Sequence, residues 1–186
     1  MKKSTLHLVT VLKEYLMEFP KIVKSLENKE PLFIEKLFSW ILKNEELFST
    51  YNISEVSELA GLYSKVLIPK FAENKNISLK KAQLKVASEI LYELQSLVLN
   101  VLKPFELKMD ESRELVQQIL QIISQSQQIK YDSDLPFEDL VETIWQFTNT
   151  NEQLRAGAIK LKSVLIIPDI HRLIAEEINL EDFLLI

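Results

Sequence analysis

Glycine is almost absent from this chain: Gly61 and Gly157 are its only glycines among 186 residues. An average protein carries roughly 7% glycine, because glycine readily adopts the positive-φ conformations of tight turns, hairpins and phosphate-binding loops. A chain this poor in glycine can hardly form a multi-stranded sheet with tight turns, and it has no glycine-rich nucleotide loop. The scarcity therefore favours a bundle of helices.

Composition places the chain among ordinary folded proteins. It is 47% hydrophobic and 26% charged, and 186 residues are enough to bury a core within one domain. The absence of cysteine excludes disulfides, thiolate metal sites and a cysteine nucleophile, and it suits a reducing cytoplasm. No window approaches 18 uncharged apolar residues, so we expect no membrane span and predict a cytoplasmic protein.

Charge is polarised along the chain. Residues 1–85 carry 14 lysines and 10 acidic residues, whereas residues 86–186 carry 8 basic and 17 acidic residues, which together give the net charge of −5. This balance argues against nucleic-acid binding, as does the lack of arginine in the most basic segment. That segment is either a site for an acidic partner or polyphosphate, or a solvated face. The segment runs from Lys65 to Lys85, and its candidate binding residues are Lys70, Lys75, Lys80, Lys81 and Lys85.

Apolar residues recur at three- and four-residue steps almost throughout the chain, which predicts about seven to nine helices. We expect the first helix to kink or divide at Pro20, and a long helix over Leu79–Lys103 to end before Pro104, with the next starting at Asp110. No flexible linker interrupts residues 1–186, so we predict one all-α domain. It is a multi-helix bundle or, because five prolines recur every 32–38 residues, a short α-α superhelix.

Short sequence patterns predict where several helices begin and where two helices cross closely. Asn52-Ile53-Ser54-Glu55 and Thr150-Asn151-Glu152-Gln153 resemble capping boxes, in which side chains at both ends satisfy free backbone N–H groups. Asp134 with Pro136 is typical of a cap and first helical turn. Gly61 and Gly157 lie beside alanines and predict close helix crossings, because glycine inside a helix otherwise costs roughly 1 kcal/mol.

Catalytic patterns are weak. Neither His7 nor His171 has a carboxylate three residues earlier, so the Glu-x-x-His pattern of di-iron bundles is absent, and His171 would need an acid–base partner from another helix. Asp139 and Glu142 share a helix face, where they form either a partial cation site or a solvated surface. We therefore lean against an enzyme and predict no cofactor and no metal.

A run of 15 uncharged residues, Leu115–Ile129, carries most of the glutamines in this part of the chain. A neutral polar face loses its water more cheaply than a face of lysine and glutamate, and interface cores are depleted in charge. We therefore predict a subunit or partner contact on this segment. Its candidate residues are Gln117, Gln118, Gln121, Gln125 and Gln128.

These observations leave three functional hypotheses. The leading one is a non-enzymatic protein-interaction module, which binds a protein partner or a second copy of itself. The alternative is a bundle that binds a small apolar ligand in its core, where Trp40, Trp145 and the phenylalanines would line the cavity. The third and weakest is an enzyme based on carboxylates or a metal. We expect the apolar C-terminus, Phe183–Ile186, to dock on the body.

Overall fold

The computed structural model describes residues 2–69, 78–132, 134 and 136–184. Helix accounts for 81% of these residues, and no strand occurs among them, which confirms the prediction of an all-α helical bundle. A short 3-10 helix, Leu180–Asp182, follows seven α-helices in this part of the chain. The α-helices are α1 (Thr5–Glu27), α2 (Phe33–Tyr51), α3 (Val56–Leu67), α4 (Leu79–Ser126), α5 (Phe137–Thr150), α6 (Arg155–Val164) and α7 (Ile167–Glu177).

Contacts between Cα atoms divide the chain into two units. His7–Pro104 form one, called here the α2 unit, and Met1–Leu6 with Phe105–Ile186 form the other, called the α5 unit. Because the boundaries fall inside α1 and α4, each of these helices contributes residues to both units. The single domain expected over residues 1–186 stays a prediction.

The core of the α2 unit is aromatic. Trp40 and Phe19 are buried, and their ring centroids lie 4.7 Å apart. The Trp40 indole donates a hydrogen bond of 2.7 Å to the main-chain carbonyl of Tyr15, which satisfies its one polar group. α2 also packs on α3, where Phe38 and Tyr63 meet edge to face with centroids 5.0 Å apart.

The core of the α5 unit includes a close approach at one glycine. α5, α6 and α7 pack on one another, and a Cβ atom at Gly157 in α6 would lie 3.1 Å from Cδ1 of Ile119 in α4. The predicted close crossing is therefore confirmed at Gly157. It is wrong at Gly61, where a Cβ atom would have no packing neighbour within 4 Å among the described residues.

Proline does not divide the helices as the sequence suggests. α1 continues through Pro20, and α4, which is 48 residues long, continues through Pro104 to Ser126. The predicted helix end at Pro104 and the predicted helix start at Asp110 are therefore both wrong. A proline inside a helix costs about 3 kcal/mol. Around Pro104, however, no glycine or other strong breaker follows, and Leu102 and Met109 are both buried, so packing carries the helix onward.

Both predicted capping boxes are wrong because the asparagine in each ends the preceding helix. Asn52 adopts the left-handed conformation (φ 54°, ψ 42°) that closes α2, and α3 begins without a side-chain cap. Asn151 closes α5, and its Oδ1 accepts a hydrogen bond of 2.9 Å from the Gln153 N–H in a turn before α6. Asparagine tolerates left-handed and turn conformations, which suits it to both helix ends and helix starts.

The start of α5 and the C-terminus were also predicted from local sequence patterns. Pro136 directly precedes α5, which begins at Phe137, and no side-chain hydrogen bond from a described residue caps this helix. Phe183 is buried, and its carbonyl accepts a hydrogen bond of 2.6 Å from the Tyr131 N–H, so the predicted docking is confirmed at this residue. Residues 185 and 186 lie outside the described residues.

Candidate interaction surfaces

The uncharged segment forms the last turns of α4. Val116, Ile119, Leu120 and Ile123 point inward and are buried, which leaves the glutamines on the opposite side of the helix. Gln118, Gln121 and Gln125 are exposed at steps of three and four residues, a spacing that places them on one helix face. We call these three residues the neutral face.

The other two predicted glutamines differ from the neutral face. Gln117 donates its side-chain N–H to Glu177 of α7 at 2.5 Å, so its amide is already bonded within the α5 unit. Gln128 lies beyond the end of α4, where its backbone N–H donates to the Ser126 hydroxyl. The structure thus groups three of the five glutamines on one surface.

The side-chain amides of the neutral face make no hydrogen bond with any other described residue. Each amide carries two donors and an acceptor oxygen, and all three are exposed. This face therefore offers unused hydrogen-bonding groups without a net charge.

The predicted basic patch is described only in part, because Lys70 and Lys75 lie outside the described residues. Lys80, Lys81 and Lys85 are exposed on the first turns of α4, which carry no acidic residue. Cations at a helix N-terminus oppose the helix dipole, so this part of α4 concentrates positive charge at the positive end of the helix.

The fold places one of the two histidines, His171, beside one of the predicted carboxylates, Glu142. His171 Nε2 lies 3.6 Å from Glu142 Oε2 of α5 and makes no hydrogen bond among the described residues. The imidazole also meets the Trp145 ring at 6.3 Å between centroids. The sequence showed no acid–base partner for His171, and the structure places Glu142, from another helix, beside it. His7 belongs to the α2 unit, near Tyr51.

No group of three or more histidines, aspartates or glutamates that could hold a metal ion occurs among the described residues. The Asp139 carbonyl accepts a hydrogen bond from the Thr143 hydroxyl, and Glu142 accepts one from the Gln146 amide. These contacts remain within α5. His171 and Glu142, in contrast, form a contact between α5 and α7.

Sequence reasoning missed a buried carboxylate, Asp169. It lies in the first turn of α7 and accepts hydrogen bonds from the Ser4 hydroxyl (2.6 Å) and the Leu6 N–H (3.3 Å). Nearby, the Lys2 ammonium donates to the main-chain carbonyls of Lys162 and Ser163 at the end of α6. In the sequence, an acidic residue directly after Pro168 indicates only the start of a helix. This pattern carries no information about hydrogen-bond partners more than 160 residues away.

A second surface feature lies in the α2 unit, between α1 and α2. It is an open groove of about 560 Å³ with Ile22, Leu32 and Trp40 among its apolar lining residues. Glu18 of α1 and Lys43 of α2 also line it and form an ion pair of 3.2 Å. We call this feature the α1–α2 groove.

Tyr15 lies next to this ion pair. The Lys43 ammonium sits 5.7 Å from the centroid of its ring. Burial raises the pKa of the Tyr15 phenol above its ordinary value of 10.0, and the Lys43 charge opposes that rise.

No protein-family model, no curated protein and no solved structure matches the chain. None of the described helices is both long enough and apolar enough to cross a membrane. The neutral face lies in the α5 unit and the α1–α2 groove in the α2 unit.

Proposed function

We propose that this protein is a non-enzymatic interaction module that associates with a second copy of itself through the neutral face. The observation that carries the proposal is the exposure of three adjacent amides, Gln118, Gln121 and Gln125, without partners among the described residues. A cytoplasmic location is part of the proposal, because a chain without cysteine suits a reducing compartment.

Symmetry favours a second copy as the partner. In a two-fold interface the same patch contacts itself, so the patch must be self-complementary. A carboxamide meets this requirement because it donates and accepts hydrogen bonds, so a glutamine can pair with the same glutamine of the other copy. A face of lysines or glutamates would instead repel its own copy.

Desolvation supports the same conclusion. Burying an ionised side chain is far more costly than burying an amide that keeps its hydrogen bonds. No charged residue occurs between Leu115 and Ile129, so neither copy has to bury a charge when the two neutral faces meet. The flanking charges, Glu114 and Lys130, fit the polar rim that surrounds most interface cores.

Sedimentation velocity over a range of protein concentrations tests the proposal. We expect wild-type protein to shift from monomer toward dimer as concentration rises. Gln121→Lys should remain monomeric, because a two-fold contact would bring the two new lysines together. Gln153→Lys is the matched control, since Gln153 is exposed and lies outside the neutral face, and it should behave as wild type.

Either of two results would contradict the proposal. One is a wild-type protein that is monomeric at every concentration. The other is a dimer that Gln121→Lys and Gln118→Lys leave as stable as the wild-type dimer, which would place the contact elsewhere. Circular dichroism of each variant shows whether its helices are intact.

A further inference from the structure

We infer that the α1–α2 groove binds a small amphiphile with an apolar chain and a carboxylate head. This inference is independent of self-association, because the groove belongs to the α2 unit and the neutral face to the α5 unit. It differs from the core cavity of the alternative sequence hypothesis, since the site lies on the surface between two helices.

The lining of the groove suits an apolar chain. Ile22 and Trp40 are buried beneath it, whereas Leu32, in the turn before α2, is 59% exposed. An aliphatic side chain this exposed gains hydrophobic stabilisation only when something covers it. The groove volume of about 560 Å³ falls within the roughly 300–1,000 Å³ of small-molecule sites.

Most charges around the groove are already neutralised by the protein. Lys43 pairs with Glu18 at 3.2 Å, and Lys36 pairs with Glu30 at 2.5 Å. The hydrogen bond from Lys36 lowers the pKa of the Glu30 carboxyl. A ligand with many charges would have to compete with these pairs, whereas a ligand with one charge would not.

Lys21 is the cation that remains for the ligand. It lines the α1 side of the groove, is exposed, and has no ion pair with any described residue. Glu35 on the α2 side also lines the groove and lacks an ion pair within the described part of the chain, but it is shared with a neighbouring groove that Lys21 does not line. A carboxylate head at Lys21 would form a charge-assisted contact, which is stronger than a neutral hydrogen bond.

The test uses Trp40 as the reporter, in a Trp145→Phe background that leaves it as the only tryptophan. Dodecanoate, kept below its micelle concentration, should change Trp40 fluorescence in a saturable way, and dodecanol should bind up to about fivefold more weakly. Lys21→Met should weaken dodecanoate binding by up to about fivefold, the loss expected for one ion pair at an exposed lysine, and should leave dodecanol binding unchanged.

Lys24→Met is the matched control, because Lys24 is exposed on α1 but does not line the groove. It should bind dodecanoate as the parent does. Calorimetric titration of the same proteins provides a readout that does not depend on fluorescence. The inference is overturned if neither method detects dodecanoate binding, or if Lys21→Met and Lys24→Met bind dodecanoate with the same affinity.

Discussion

The two units hold their helices together by different means. In the α2 unit, buried Ser25 and Asn44 donate to carbonyls of their own helices, and the contacts between helices centre on the aromatic pair of Trp40 and Phe19. In the α5 unit, polar groups connect separate elements: Asp169 accepts from Ser4 and Leu6. The α2 unit also has polar contacts between α1 and α2, the Trp40 hydrogen bond and the ion pair of Glu18 and Lys43. What distinguishes the α5 unit is a buried carboxylate that bonds to residues more than 160 positions away in sequence.

Further polar contacts join helices of the α5 unit. Arg113 of α4 bonds to Glu176 (3.4 Å) and Glu177 (2.6 Å) of α7, and Lys162 of α6 donates to the Asn149 side chain of α5. Exposed ion pairs each contribute about 1 kcal/mol or less, so they orient the helices more than they stabilise them. Surfaces of the α2 unit stay open along α1 and α2, where we place the ligand groove.

Removal of the aromatic centre of the α2 unit should have the largest effect on stability. We expect Trp40→Ala to lower the free energy of unfolding by about 3–5 kcal/mol, because it leaves a cavity beside Phe19. Trp40→Phe should cost less, since it keeps a ring at this position and loses only the indole donor to Tyr15. Urea unfolding followed by circular dichroism measures both, and a loss below about 1 kcal/mol for Trp40→Ala would contradict this account of the core.

Removal of the buried carboxylate tests the polar contacts of the α5 unit. Asp169→Ala should lower the free energy of unfolding by about 1–3 kcal/mol, because the Ser4 hydroxyl and the Leu6 N–H lose their acceptor. The first residues should then exchange amide hydrogens faster and be cut sooner by trypsin after Lys2 or Lys3. Asp182→Ala, at an exposed position, is the control, and equal cleavage of both variants would refute the proposed attachment.

The two glycines provide a smaller, matched comparison between the units. Gly61→Ala should raise the free energy of unfolding by up to about 1 kcal/mol, because alanine favours the helix and its methyl group would meet no described packing neighbour within 4 Å. Gly157→Ala should gain less, since its methyl group would lie 3.1 Å from Ile119. Thermal unfolding of both variants measures the difference, and a larger gain at Gly157 would contradict the close crossing.

The smallest expected effect is a change in the stability of the α2 unit at alkaline pH. Because the Tyr15 pKa is raised on folding from its ordinary value of 10.0, its contribution to stability is fully present below that value and is lost as pH rises through the folded-state pKa. Tyr15→Phe should therefore lose less stability than wild type does as the pH becomes strongly alkaline. Urea unfolding at several alkaline pH values checks this, and identical pH profiles for the two proteins would contradict it.

Periodicity was sufficient to predict the fold class and most of the core, because apolar stripes such as Ala82, Val86, Ile90 and Leu94 are local patterns. It did not predict that α4 continues through Pro104, where packing outweighs a local breaker. Nor did it find the contacts of Asp169 or the Glu142 partner of His171, since these join residues distant in sequence. The uncharged glutamine segment was visible because its composition is local, but only the structure shows which three glutamines share one exposed face and that Gln117 is already bonded.

A native mass spectrum of unlabelled protein mixed with its ¹⁵N-labelled form tests the central claim most directly. If copies associate through the neutral face, the spectrum will contain a species near twice the chain mass of 21.7 kDa, including mixed pairs of one light and one heavy copy. Gln121→Lys will abolish the mixed pairs, and Gln153→Lys will retain them. Only monomers in the wild-type spectrum, or mixed pairs that persist in Gln121→Lys, would contradict self-association through this face.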